Sequence, residues 1–248
     1  MSSTADYSFP ASSTSRIPLA VILAGLAGCT DSIGFLEFSQ LFVSFMSGNT
    51  TRFGVSMALM EWSSAARVAS VIALFCFGAF LGTLIAAGVG RWRLPILLGL
   101  QAIIMSFGLL LPVGTDALPL SAYPIVLALG MQNATLQDEG GRSIALTYVT
   151  GAVVRFGTGL ANLLLHRPAA SFWIQAPLWA ALSVGAVIGG ILQVHFGEMA
   201  FLFPIALALG LSIIGAFLVV AYPNSPLIAG VSPTPDAPPD TRPVFRVA

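Results

Sequence analysis

The chain has 248 residues, 56% hydrophobic and 8% charged, with a mean hydropathy of +0.91 and a formal net charge of zero. So few charges cannot clothe a water-soluble protein of this length. Apolar runs of about twenty residues are what a hydrocarbon layer of roughly 30 Å demands, so an integral membrane protein is expected. With all ten basic residues arginine and no basic excess, nucleic acid is not an expected partner. Cys29 and Cys76 lie in apolar sequence without metal or redox spacing and read as small buried hydrophobes; no cofactor is expected.

Residues 1–15 are rich in Ser and Thr with no basic cluster, and read as a disordered tail rather than a cleaved signal peptide. The first apolar segment runs from about Ile17 to Phe38 and carries Asp31 near its far end. The stretch Phe42 to Gly54 follows within a segment of about Gln40 to Met60, closed by Glu61 and an interfacial Trp62. Further segments run from about Ala66 to Val89 and from Pro95 to about Leu111, separated by Arg91, Trp92 and Arg93.

The second half repeats the plan. Segments are expected over about Leu118–Leu136, Ile144–Leu165, Phe172–Val194 and Met199–Ala221, followed by a disordered proline-rich tail over residues 223–248. Under an offset of 103 residues, Ser47 and Gly48 meet Thr150 and Gly151, and Arg52, Phe53 and Gly54 meet Arg155, Phe156 and Gly157. Under an offset of 107, Gly78 and Gly82 meet Gly185 and Gly189, spacings that suit close helix packing. The expected architecture is therefore an all-α polytopic bundle of two internal repeats, residues 16–114 and 115–222.

Each half offers four apolar segments. If the arginine-bearing segment of each half is broken or re-entrant, there are six full spans and the halves are inverted. If every segment crosses, there are eight. With the N-terminus and Arg16 cytoplasmic, six spans put Arg91, Arg93, Arg142, Arg167, Arg242 and Arg246 inside and leave Arg67 outside; eight strand Arg91, Arg93 and Arg142 outside. The positive-inside rule favours six. The hydroxyls and amide of Ser47, Asn49, Thr50 and Thr51 compete for backbone hydrogen bonds and point to a helix break there.

Asp31, Arg52 and Arg155 are the ionisable groups deepest in apolar sequence, and such groups face a partner charge, a bundle interior or a cavity. Asp31 and Arg52 form the natural pair. Ala134 stands at the offset equivalent of Asp31, so Arg155 is expected to lack that partner and to suit an anion. The candidate substrate or ion site comprises Asp31, Ser47, Gly48, Asn49, Thr50, Arg52, Gln132, Asn133, Thr150, Gly151 and Arg155. Snorkelling arginines with a structural Asp31–Arg52 tie are the alternative.

Ala27 to Phe35 followed by Phe42 to Thr50, and Gln132, Asn133 and Ala134 with Thr147 to Gly151, resemble the two signatures of the YoaK-like family of small bacterial membrane proteins of unknown function. The resemblance spans about residues 17–222 and implies a multi-pass protein of the bacterial cytoplasmic membrane. It carries no activity. Nothing in the chain forms a metal set, a phosphate loop or a nucleophile elbow, so an enzyme is not expected. The leading expectation is a transporter for a small polar or anionic solute, embedded in the lipid bilayer and a candidate homodimer through small-residue faces. A non-transporting structural, signalling or assembly protein is the alternative.

Overall fold

The computed structural model of the protein describes residues 17–111, 119–136, 149–166, 173 and 175–222. The expected tails, Arg16, Asp116, the polar cluster around Arg142, Thr147, Tyr148 and Arg167 lie outside them. Every regular element among the described residues is helical. In chain order these are α1 (Ile17–Glu37), α2 (Met46–Ala58), α3 (Trp62–Val89), α4 (Arg93–Leu109), α5 (Ala122–Gln132), α6 (Val149–Leu164), α7 (Gln175–Phe196) and α8 (Leu202–Ala221). Three stretches, Ile17–Glu37, Trp62–Leu109 and Gln175–Ala221, are long and apolar enough to cross a membrane.

Local chemistry accounts for the boundaries. Pro18, Pro95, Pro124, Pro177 and Pro204 all fall in the first turn of their helices, where a backbone N–H has no partner four residues back. Short 3-10 turns join α3 to α4 over Gly90–Trp92 and α7 to α8 over Gly197–Phe201. Each opens on a glycine in left-handed backbone, φ 52° at Gly90 and 55° at Gly197, where a Cβ would be strained.

Two pairs of helices approach backbone to backbone. A Cβ built on Gly185 of α7 would lie 2.0 Å from the Gly25 carbonyl oxygen of α1, and one on Gly189 would lie 2.2 Å from the Cys29 oxygen. On α3, a Cβ at Gly78 would lie 2.3 Å from the Leu127 oxygen of α5, and one at Gly82 would lie 2.8 Å from Met131. The expected glycine faces are thus helix-packing faces. The remaining main pairings are α4 with α8, α4 with α5, α2 with α3 and α6 with α7. Leu26 and Ile33 of α1, Val68 of α3, Met105 of α4, Ile125 of α5 and Ile205 of α8 share one core.

One expectation needs correcting. The helix does not break at Ser47 to Arg52: α2 runs without interruption from Met46 to Ala58. The Thr50 and Thr51 hydroxyls donate back to the Met46 and Ser47 carbonyls, which a helix accommodates. The break lies earlier, in the connection over residues 38–45. At 13 residues α2 is about 20 Å long, short of the roughly 30 Å that spanning requires.

Candidate functional site

The connection between α1 and α2 carries its apolar side chains inward. Phe38, Leu41 and Val43 are buried in the main core, and Phe38 stacks on Phe201 with ring centroids 5.6 Å apart. Burying non-helical backbone in a membrane protein leaves amides and carbonyls that need partners. Side chains of α1 and α2 supply them. Asp31 Oδ1 accepts from the N–H groups of Val43 (2.8 Å), Ser44 (2.7 Å) and, at 3.4 Å, Phe45. The Ser44 hydroxyl donates to Asp31 Oδ2. The fully buried Asn49 takes the Phe42 backbone from both sides: its Oδ1 accepts the N–H at 3.1 Å, and its Nδ2 donates to the carbonyl at 2.7 Å.

Arg52 completes the clamp. Its guanidinium donates to the carbonyls of Ser39 and Gln40, which both hold left-handed backbone, φ 52° and 64°. That conformation costs a non-glycine residue about 1–2 kcal/mol, so the arginine bonds help to hold an otherwise unfavourable exit from α1. The expected Asp31–Arg52 ion pair is therefore replaced: Asp31 binds the loop's amides and Arg52 its carbonyls. A carboxylate offers about four acceptor positions, and Asp31 meets four donors, leaving little capacity for a solute. Gly48 lies under the Phe42 and Phe45 rings, with no room for a Cβ, while Ser47 and Thr50 are exposed.

Gln132 and Asn133 sit elsewhere. At the end of α5, the buried Gln132 donates through Nε2 to the Leu23 carbonyl of α1 at 3.1 Å. Its Oε1 accepts from Nε2 of the fully buried Gln101, at the middle of α4, at 2.9 Å. The Leu23 carbonyl can only accept, so it orients both amides in series. The chain ends at Gln101 Oε1, a buried acceptor with no hydrogen-bond partner. Asn133 donates to the Leu129 and Gly130 carbonyls of its own helix. Thr150, Gly151 and Arg155 all belong to α6, where Arg155 is exposed and engaged in interactions of its own. That engagement removes the ground for treating Arg155 as a bare charge.

The structure brings Asp31, Asn49 and Arg52 together around the chain's own backbone, and adds two residues not among those expected, Ser44 and Gln101. A lone glutamine at the centre of an apolar 17-residue helix was a readable signal for the latter. Among the described residues, no group of three or more His, Cys, Asp or Glu is arranged to hold a metal ion.

A family described as Protein of unknown function (DUF1275) matches residues 19–214, which include the clamp, both glycine faces and the glutamine pair. The chain belongs to this family. It is also 34% identical over 196 residues to UPF0700 transmembrane protein RA0705 of Rhizobium meliloti (strain 1021), covering 78% of this chain and 83% of the relative. No solved structure matches. With its apolar helices, this DUF1275 protein is a membrane protein of a family without assigned activity.

Chemically, the two polar groupings in this DUF1275 chain differ. The clamp is saturated by its own loop. The glutamine chain stops short, at a buried acceptor without a hydrogen-bond partner among the described residues, where an unmade bond is costly.

Proposed function

We propose that the protein is a transporter for a small, uncharged or weakly polar solute that presents a hydrogen-bond donor to Gln101. The single observation that carries this is the unpartnered Gln101 Oε1, buried where α1 and α4 of the first half meet α5 of the second. A buried polar group with an unmade bond is kept in a membrane interior at a cost of about 1–3 kcal/mol, and a solute supplying the donor recovers it. The acceptor selects against anions, which narrows the expectation drawn from the arginines.

The reading includes the finer architecture. Exchanging α1 with α5, α2 with α6, α3 with α7 and α4 with α8 maps the main pairings α1–α7, α4–α8 and α2–α3 onto α5–α3, α8–α4 and α6–α7. The left-handed glycines Gly90 and Gly197 and the glycine faces share the 107-residue offset. Both facts support two internal repeats. Glu37 and Phe38 at the end of α1 line the same crevice as Leu109 and Leu111 at the end of α4, together with Ser121 before α5 and Glu198 before α8. α1 and α4 therefore run in parallel, and α5 and α8 oppose them. With α2 too short to cross, that supports six spans and inverted halves, with the N-terminus on the cytoplasmic side of a bacterial inner membrane. The YoaK-like kinship belongs to the same reading, which includes no catalytic step.

The test is uptake into proteoliposomes of radiolabelled small polar solutes, namely glycerol, urea, acetamide and ethylene glycol, comparing the native chain with Gln101→Leu. Uptake of one of them above empty vesicles, reduced about tenfold in the variant, is expected, since a lost bond to a buried polar group is worth about 1.4 kcal/mol or more. Equal uptake by both proteins would overturn the role of Gln101. The second reading, a non-transporting structural or assembly protein, is favoured by the clamp, whose polar groups serve the chain itself. It predicts no uptake of any of the four solutes.

A further inference from the structure

At the end of the bundle where α1, α4 and α7 finish, a shallow crevice opens to solvent, with room for little more than a single ion or water-sized sphere. That is far too little for an organic ligand, whose pockets measure roughly 300–1,000 Å³. Its walls are apolar, from Phe38, Ile125 and Phe201, but its polar lining is acidic: Glu37 from α1 and Glu198 from the turn before α8. Among the described residues, no basic side chain lines it. Glu37 accepts a hydrogen bond from Gln193 Nε2 of α7, which fixes that amide and leaves Gln193 Oε1 buried without a partner. Ser121, 4% exposed and lining the same crevice, also has a buried Oγ without a hydrogen-bond partner.

We propose that this crevice binds a hard divalent cation of the calcium class through Glu37, Glu198 and Ser121 Oγ, with water completing its shell. Three features converge on that chemistry. Every available donor is oxygen, which suits calcium rather than zinc or copper. The two carboxylates supply the charge that a divalent ion neutralises. The neutral Oγ of Ser121 lacks another partner among the described residues, and an ion satisfies it. Because the ligands come from α1 and the segments before α5 and α8, the ion braces three helix ends against one another. The site is independent of the glutamine chain and of solute transport.

The experiment is thermal unfolding of the purified full-length protein in detergent, titrated with calcium chloride and, at matched ionic strength, with sodium chloride or choline chloride. Calcium is expected to raise the melting temperature along a saturating curve, while the other two salts do not. Glu198→Gln folds normally, because Glu198 is exposed, and weakens the apparent calcium Kd about tenfold or more, as loss of a charged ligand does. Ser121→Ala weakens it by a smaller factor. An equal response to all three salts, or a calcium response unchanged in Glu198→Gln, would overturn the proposal.

Discussion

The first half of the chain holds a carboxylate where the second half holds a methyl group. Asp31 gathers the amides of the α1–α2 connection, whereas Ala134, its counterpart under the 103-residue offset, is fully buried against Ala86, Leu97 and Met131. The nearest atoms to a Cβ built on Gly82 include that of Ala134, at 3.2 Å. Under the same offset the buried Asn49 meets the buried Ala152, and Arg52 meets Arg155. Asp31 thus serves a polar loop, whereas Ala134 serves a close helix contact. The charge at Asp31 answers a local need of the backbone, so its depth in apolar sequence does not by itself mark a solute site.

That contrast can be broken at its strongest point. Replacing Asp31 with Ala strands the buried N–H groups of Val43 and Ser44 and the Ser44 hydroxyl, at about 1–3 kcal/mol for each unsatisfied group. A loss of about 3–5 kcal/mol is expected, read in detergent as a fall in melting temperature of roughly 10 °C. If the variant melts like the native protein, the carboxylate does not anchor the connection.

The glycine faces sharpen the comparison, because there the halves should behave alike. Gly185→Ala and Gly78→Ala each drive a methyl into a carbonyl oxygen of the facing helix and are expected to cost similar amounts, about 1–3 kcal/mol. Paired unfolding measurements differing by more than that range would show the crossings are not equivalent. The smallest effect has the opposite sign. Gly54 and Gly157 correspond to each other on α2 and α6, with nothing within 4 Å of a built Cβ, so Gly54→Ala and Gly157→Ala should each gain about 0.5–1 kcal/mol from helix propensity. A melting temperature lowered by either substitution would reveal an unrecognised contact.

Much of this was legible in the chain. Apolar runs gave the helices within a few residues, as with Ala66–Val89 expected and Trp62–Val89 observed. Glycine spacing gave the close faces, because only a missing Cβ permits backbones to touch. The partner of Asp31 was not legible, since amide N–H groups are the same at every residue and a sequence displays only side chains. Nor was the helical course of Ser47 to Arg52, where hydroxyl groups that can break a helix instead bond back along it. Gln101 carries no charge to mark it, yet a buried amide in the middle of an apolar helix is nearly as informative as an arginine there.

The bond from Gln132 to Leu23 also has a consequence in time. Its donor lies 109 residues downstream of its acceptor. At about 5–20 residues per second, α1 waits roughly 5–20 seconds during synthesis before that amide exists. The glycine face of α1 waits longer still, because its partner α7 follows α5 in the chain. Throughout that interval α1 sits in the bilayer, or in the insertion machinery, with a bare small-residue face and its final neighbours unmade. Chains truncated before α7 should accordingly be cleared by membrane proteases rather than accumulate as stable halves.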